Sequence, residues 1–193
     1  MLRTILLFLS LFFSLSLFAQ QEKAPIEIYL KQGNDSLLLN NNTVKIKKAP
    51  FTLIIVYNNP KKYSGVFVNT SFLKDYYKLE PSETIPDLNY LPQKVYSEHK
   101  FNPNKELKAN PEFFQYFGYN PNANWNKFDR LIKVGDKVIA YRKVTNIYDV
   151  NRNERIPLEE IRFPIFMVFD VIDQHTGKFF NKELYRAKAK IKF

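Results

Sequence analysis

Short segments of alternating apolar and polar residues, separated by turn residues, constrain the fold of this chain more than any other feature. Ile26, Ile28 and Leu30 alternate with Glu27 and Tyr29, a pattern typical of a strand with one buried face. Further strands are predicted at residues 37–39, 44–46, 66–68 and, as one strand or a bent pair, 138–148. This spacing predicts an all-β or β-rich α+β fold, arranged as a mostly antiparallel β-sandwich with short inserted helices.

Two longer runs, Phe51–Tyr57 and Ile165–Ile172, lack a polar face. Runs of this length without alternation are typical of central strands that are buried on both sides. A chain of this size can also bury a substantial core. Residues 20–193 are therefore predicted to form a single β-rich domain.

An insertion around residues 80–130 interrupts the strand pattern. Its first part is polar and rich in proline, and so long a stretch without periodicity is often functional or mobile. Short helices are predicted on either side of this part. One runs from Phe72 to Lys78, with Thr70 or Ser71 as its N-cap. The other begins at Asn110-Pro111-Glu112 and ends at Gly118.

The amino terminus, residues 1–19, has the features of a cleavable signal peptide. Arg3 precedes an apolar run from Ile5 to Phe18, and the small residue Ala19 precedes a polar stretch. The 14-residue run is shorter than the roughly 20 residues of a spanning helix, although retention as an anchor is an alternative. We therefore expect a periplasmic or secreted protein, with no transmembrane segment after cleavage. The chain has no cysteine, so no disulfide stabilises it.

The densest aromatic composition lies between Phe113 and Phe128, where seven aromatic residues and four asparagines stand within 16 positions. Aromatic faces next to amide groups suit a glycan or a protein partner. The alternative is that these aromatic side chains pack inward and close one end of the sandwich. The candidate binding residues are Tyr116, Tyr119, Asn120, Asn124, Trp125 and Asn126.

The last segment alternates between apolar residues and the cations Arg186, Lys188, Lys190 and Lys192. The unbroken period of two favours a strand, although alanine and lysine also suit a helix. A row of cations on one strand face could contact phosphates or anionic lipid headgroups, and the formal net charge of +10 favours anionic surfaces in general. Alternatively, the lysines protect an exposed sheet edge.

Residues 149–160 resemble a calcium loop of the EF-hand type. Asp149, Asn151 and Asn153 supply oxygens at relative positions one, three and five, and Glu160 stands at position twelve. The segment departs from that pattern because position six is Glu154 rather than glycine, and its flanks are predicted strands rather than helices. The alternative is a solvated connection between strands.

No motif for covalent catalysis is visible, because the chain lacks cysteine and a G-x-S-x-G sequence. The two histidines, His99 and His175, have no metal-binding spacing, and no dinucleotide fingerprint is present. The sequence therefore favours a non-catalytic binding or interaction module of the cell envelope or secreted space. It needs no cofactor, and its expected partner is an envelope protein or a glycan. The alternative is a carboxylate-based hydrolase that acts on a glycan or another envelope substrate.

Overall fold

A computed structural model of the protein describes residues 24–74, 105–109, 114–118, 128–173, 175 and 186–193. The predicted signal peptide and most of the 80–130 insertion lie outside these residues. The described part of the chain contains thirteen strands: β1 (Ile26–Gln32), β2 (Asp35–Leu38), β3 (Asn42–Lys45), β4 (Phe51–Tyr57), β5 (Tyr63–Ser71), β6 (Glu106–Ala109), β7 (Phe114–Gly118), β8 (Arg130–Val134), β9 (Lys137–Val144), β10 (Asn146–Asp149), β11 (Glu154–Pro157), β12 (Ile165–Asp173) and β13 (Arg186–Lys192).

These strands form two sheets within the described residues. The first sheet has the order β2-β1-β4-β9-β8, and all its neighbours are antiparallel. The second has the order β11-β10-β6-β5-β12-β13-β3, with β7 also paired to β5. Three of its pairs are parallel, namely β10 with β6, β5 with β6 and β13 with β3. The predicted β-rich, sandwich-like fold is confirmed.

Buried residues from both sheets form one hydrophobic core. In β4 the residues Phe51, Leu53, Ile55 and Tyr57 are buried, whereas the residues between them are only partly buried. The prediction that this strand is buried on both faces is therefore wrong, because only one face of the first sheet packs against the hydrophobic core. By contrast, residues 165–172 of β12 are all buried, which confirms the prediction for that strand.

The predicted bent pair at residues 138–148 is confirmed. The chain leaves β9 of the first sheet and enters β10 of the second with only Thr145 between them. The backbone amide of Thr145 donates a hydrogen bond of 3.0 Å to the carbonyl of Lys105, just before β6. This crossing ties the two sheets together at one end.

A second link between the sheets is a buried tyrosine. The hydroxyl of Tyr57, at the end of β4, donates a hydrogen bond of 2.9 Å to the carbonyl of Phe117 in β7. The ring of Phe128 packs against both residues, with its centroid 6.5 Å from that of Tyr57 and 5.8 Å from that of Phe117. Since Tyr57 has no exposed surface, its hydroxyl needs this partner.

One prediction about local structure is wrong. The segment that ends at Gly118 is the strand β7, not a helix, because its backbone pairs with β5 from Gly65 to Asn69. Within residues 149–160 the chain completes a hairpin of β10 and β11, which is followed by a 3-10 helix, Leu158–Glu160. The helix predicted from Phe72 lies outside the described residues after Lys74. Among the described residues, no helix is long and apolar enough to cross a membrane.

Candidate functional site

A cleft of about 520 Å³ opens where β5 ends and β12 begins. One wall is Ser71, Phe72 and Leu73, and the other is formed by the β10–β11 hairpin and the segment that follows it, up to Phe163. Its position follows from sheet pairing, since Ser71 lies opposite Phe166 at the start of β12. The cleft therefore brings together two segments that are more than seventy residues apart in the sequence.

Two large apolar side chains stand exposed at this cleft. Leu73 is 57% exposed and Phe163 is 65% exposed. The hydroxyl of Ser71 accepts a hydrogen bond of 2.9 Å from the amide of Leu73, which fixes the turn after β5. Phe163 lies in a bend directly before Pro164, and a residue before proline is disfavoured in the helical conformation. Local backbone constraints thus place both side chains beside the cleft rather than in the core.

Charges of both signs surround these apolar groups. Asp149, Glu154 and Glu160 line the cleft together with Arg152 and Arg162. All are exposed except Asp149. The cleft is thus a mixed-charge surface around an apolar centre, suited to a ligand with matching charges at its ends.

The Asp149 carboxylate faces the backbone of its own hairpin. Its Oδ1 accepts hydrogen bonds from the amides of Asn151, at 3.1 Å, and Arg152, at 3.3 Å. Its Oδ2 lies 3.7 Å from Nε of Arg152. The carboxylate therefore fixes the turn between β10 and β11.

Three of the four proposed calcium ligands, Asp149, Asn151 and Glu160, line this cleft. The fourth, Asn153, adopts a positive φ of 55°, and its side-chain oxygen accepts a hydrogen bond from the hydroxyl of Tyr148. Among the described residues, no group of three or more acidic, histidine or cysteine side chains is placed to hold a metal ion. The calcium site stays a prediction.

Tyr116, the first of the candidate binding residues, lies in β7 with its ring across two paired glycines. A Cβ on Gly65 would lie 2.5 Å from this ring, and one on Gly118 would lie 2.7 Å from it. The ring of Phe67 packs beside it, with the centroids 5.1 Å apart. Tyr116 is only 9% exposed, so it offers a partner little surface. The other candidates of this group lie outside the described residues: Tyr119, Asn120, Asn124, Trp125 and Asn126.

The cations of β13 share one strand face, as the alternation predicts. Arg186 is buried, Lys188 and Lys190 are partly buried, and Lys192 is exposed. However, β13 lies between β12 and β3 and has hydrogen-bonded neighbours on both sides. The interpretation of these cations as edge protection is therefore wrong, because β13 is not an edge strand.

A buried ion pair, which the sequence analysis missed, joins Arg186 to Asp170 of β12. Nε of Arg186 lies 2.6 Å from Oδ1 of Asp170, and both side chains are 1% exposed. Burial raises the pKa of Asp170 to about 6, against the attraction of Arg186 and Lys188. Oδ2 of Asp170 has no hydrogen-bond partner among the described residues. The sequence signal for this ion pair was Asp170 itself, a lone acid within an otherwise apolar strand. A charge in such a place is seldom buried unless it is paired.

A second buried cation, Arg142, was also missed. It lies on the core-facing side of β9, and its Nη1 is 3.4 Å from Oδ1 of Asp129. Burial lowers the pKa of Arg142, whereas attraction to Asp129 and Glu106 opposes that change. Oδ2 of Asp129 also accepts a hydrogen bond from the amide of Lys143. Asp129 thus anchors the start of β8 to β9.

Comparison with protein-family models, characterised proteins and solved structures finds no match for this chain.

Proposed function

We propose that this protein is an exported, non-catalytic binding module, periplasmic or secreted, that holds a partner protein in the cleft between Leu73 and Phe163. The observation that carries the proposal is the exposure of these two side chains at one concave, charged surface. Large apolar groups that cluster on a surface commonly mark an interaction site. Localisation outside the cytoplasm depends on the predicted signal peptide.

The cleft is arranged like a small protein–protein interface, with an apolar centre and charges around it. Phe163 can act as an aromatic anchor, and Ile161 is buried beneath the same cleft. Arg162, Glu154 and Glu160 stand around this centre with exposed charges. Charges at the edge of an interface select partners by complementarity more than they add affinity. A partner segment with an apolar side chain between opposite charges fits this arrangement.

The alternative, a carboxylate-based hydrolase, has less support. Three acids line the cleft, and such an enzyme needs two of them, one held as a general acid in an apolar pocket. Glu154 and Glu160 are exposed, and the Asp149 carboxylate is hydrogen-bonded to its own turn. We therefore favour binding over catalysis.

Site-specific photo-crosslinking tests the proposal. A benzophenone amino acid is placed at position 163 in producing cells and, as a control, at position 134. Val134 is also apolar and 55% exposed, but it lies in the β8–β9 hairpin. We expect one discrete protein adduct from position 163 and none from position 134. That adduct should be lost when Leu73→Ser and Arg162→Glu are added.

Two results would contradict the proposed cleft. One is the same adduct from both positions, which would show nonspecific contact. The other is an adduct from position 163 that persists after Leu73 and Arg162 are both changed. If the protein binds a glycan through Phe163 and gives no protein adduct, the ligand of the cleft is a sugar rather than a protein.

A further inference from the structure

The row of cations on β13 continues onto the neighbouring strand β3. The parallel register places Lys192 beside Lys45 and Lys190 beside Thr43. Val44 and Ile191, which alternate with these residues, are buried in the core. The lysines therefore share the opposite face of the second sheet. Four ammonium groups stand there on two adjacent strands: Lys45, Lys188, Lys190 and Lys192.

The cations at the two ends of this row differ in whether a carboxylate neutralises their charge. At one end Arg186 is buried and paired with Asp170. At the other end Lys45 and Lys192 are exposed. Within the described residues, no carboxylate forms an ion pair with any of the four lysines. Like charges on adjacent strands repel one another, so a bound anion would stabilise this end of the row.

The spacing of the row suits a flat array of anions. Alternate residues of a strand are about 7 Å apart, and neighbouring strands are about 4.8 Å apart. The backbone positions of the four lysines thus form a small grid with these spacings. Nζ of Lys190 lies 5.5 Å from the centroid of the Phe166 ring. That ring is only 5% exposed, so it is not available to stack on a nucleic acid base.

We infer that this lysine grid, Lys45, Lys188, Lys190 and Lys192, binds the phosphate groups of an anionic lipid surface. The contact is peripheral and electrostatic, since none of the grid residues inserts an apolar group into the bilayer. The lysine grid is separate from the Leu73–Phe163 cleft. In the second sheet β13 and β3 lie on one side of β12, whereas β5 and the β10–β11 hairpin, which line the cleft, lie on the other side. Two surfaces would let the protein hold a partner while it rests on a membrane.

The expected strength follows from the number of lysines. Each lysine near an anionic membrane surface strengthens binding about fivefold at low salt. Removing three lysines should therefore weaken binding about 100-fold if their effects are independent. Binding should also fall steeply as salt is raised from about 0.01 M to about 0.15 M, because the screening length shortens from about 30 Å to about 8 Å.

Vesicle flotation with matched charge variants tests the inference. The purified protein is mixed with phosphatidylcholine vesicles that contain about one-third phosphatidylglycerol, and with pure phosphatidylcholine vesicles as a control. The grid variant is Lys45→Gln, Lys190→Gln and Lys192→Gln. The control variant is Lys31→Gln, Lys133→Gln and Lys143→Gln, which removes three exposed lysines from the first sheet. Both variants have the same net charge, and circular dichroism checks that both are folded.

We expect the wild-type protein to bind only the anionic vesicles, the grid variant to bind them at least tenfold less tightly, and the control variant to stay within about threefold of wild type. Equal losses in both variants would overturn the inference, because binding would then follow net charge alone. Failure of the wild type to bind anionic vesicles would overturn it too. If inorganic phosphate, added at the same concentration as the phosphate groups of the lipid, abolishes vesicle binding, the grid is a site for free phosphate instead. Binding of the grid to DNA but not to vesicles would assign it to nucleic acid.

Discussion

The buried Asp170 carboxyl is expected to make the protein less stable as the pH rises through weakly acidic values. Burial raises its pKa from the ordinary value of 3.8 to about 6 in the folded protein. Between these two values the folded chain keeps a proton that the unfolded chain has released. The stability from this group is therefore complete below pH 3.8 and is lost as the pH rises to about 6.

The size of this effect follows from the pKa difference. Each pH unit within that interval changes the free energy of unfolding by about 1.4 kcal/mol. The whole interval of roughly two units thus corresponds to about 3 kcal/mol. Because Asp170 is 1% exposed, solvent screening reduces this figure little.

Urea denaturation of the wild type and of Asp170→Asn, followed by circular dichroism between pH 4 and pH 8, isolates this group. The amide keeps an oxygen for Arg186 but does not titrate. The free energy of unfolding of the wild type, minus that of the variant, should fall by about 2.5 kcal/mol between about pH 4 and about pH 7. The reasoning is refuted if that difference is constant, or if it rises with pH. A rise would mean that Arg186 outweighs burial and lowers the pKa of Asp170.

Three further predictions concern packing and processing. Gly65→Ala is expected to cost about 1–3 kcal/mol in urea denaturation, because the added methyl would lie 2.5 Å from the Tyr116 ring; the cost should shrink when Tyr116 is also replaced by Ser. Phe169→Ala is expected to cost about 3–5 kcal/mol, because its ring is fully buried. Val134→Ala, at an exposed site, should cost under about 0.5 kcal/mol, and equal losses at the two sites would contradict the assigned core. The intact mass of the exported protein should correspond to a chain that begins at Gln20 or at the next residue; a full-length mass in the membrane fraction would contradict cleavage.

The burial of a strand could be predicted where its pattern of apolar and polar residues matches the surroundings of the strand in the fold. Residues 165–172 have no polar face, and every one of them is buried in the structure. The run Phe51–Tyr57 also lacks a polar face, but its second face stays partly exposed. Composition cannot separate these two cases, because the difference depends on what packs over each sheet. β7 shows a similar limit, since the preceding Pro111 in the sequence and the glycine at its end favour a helix locally, whereas pairing with β5 makes it a strand.

The candidate site was less predictable than the fold. Asp149 and Glu160 were singled out for an ion, and the structure places both in the cleft. The opposite wall, with Leu73, comes from a distant part of the chain, so no local motif could reveal it. The same holds for the ion pair between Asp170 and Arg186, which only the register of β12 and β13 brings together.

The pairing of β3 with β13 has a consequence for the order in which the protein folds. The amide of Lys188 donates a hydrogen bond to Asn41, a residue 147 positions earlier in the chain. Closing so long a loop carries a large entropic cost, and contacts of high sequence separation slow folding. During synthesis β3 and the outer edge of β12 have no strand to pair with until residues 186–192 exist. The second sheet is thus completed late, and chains interrupted before β13 would present two open edges that favour aggregation.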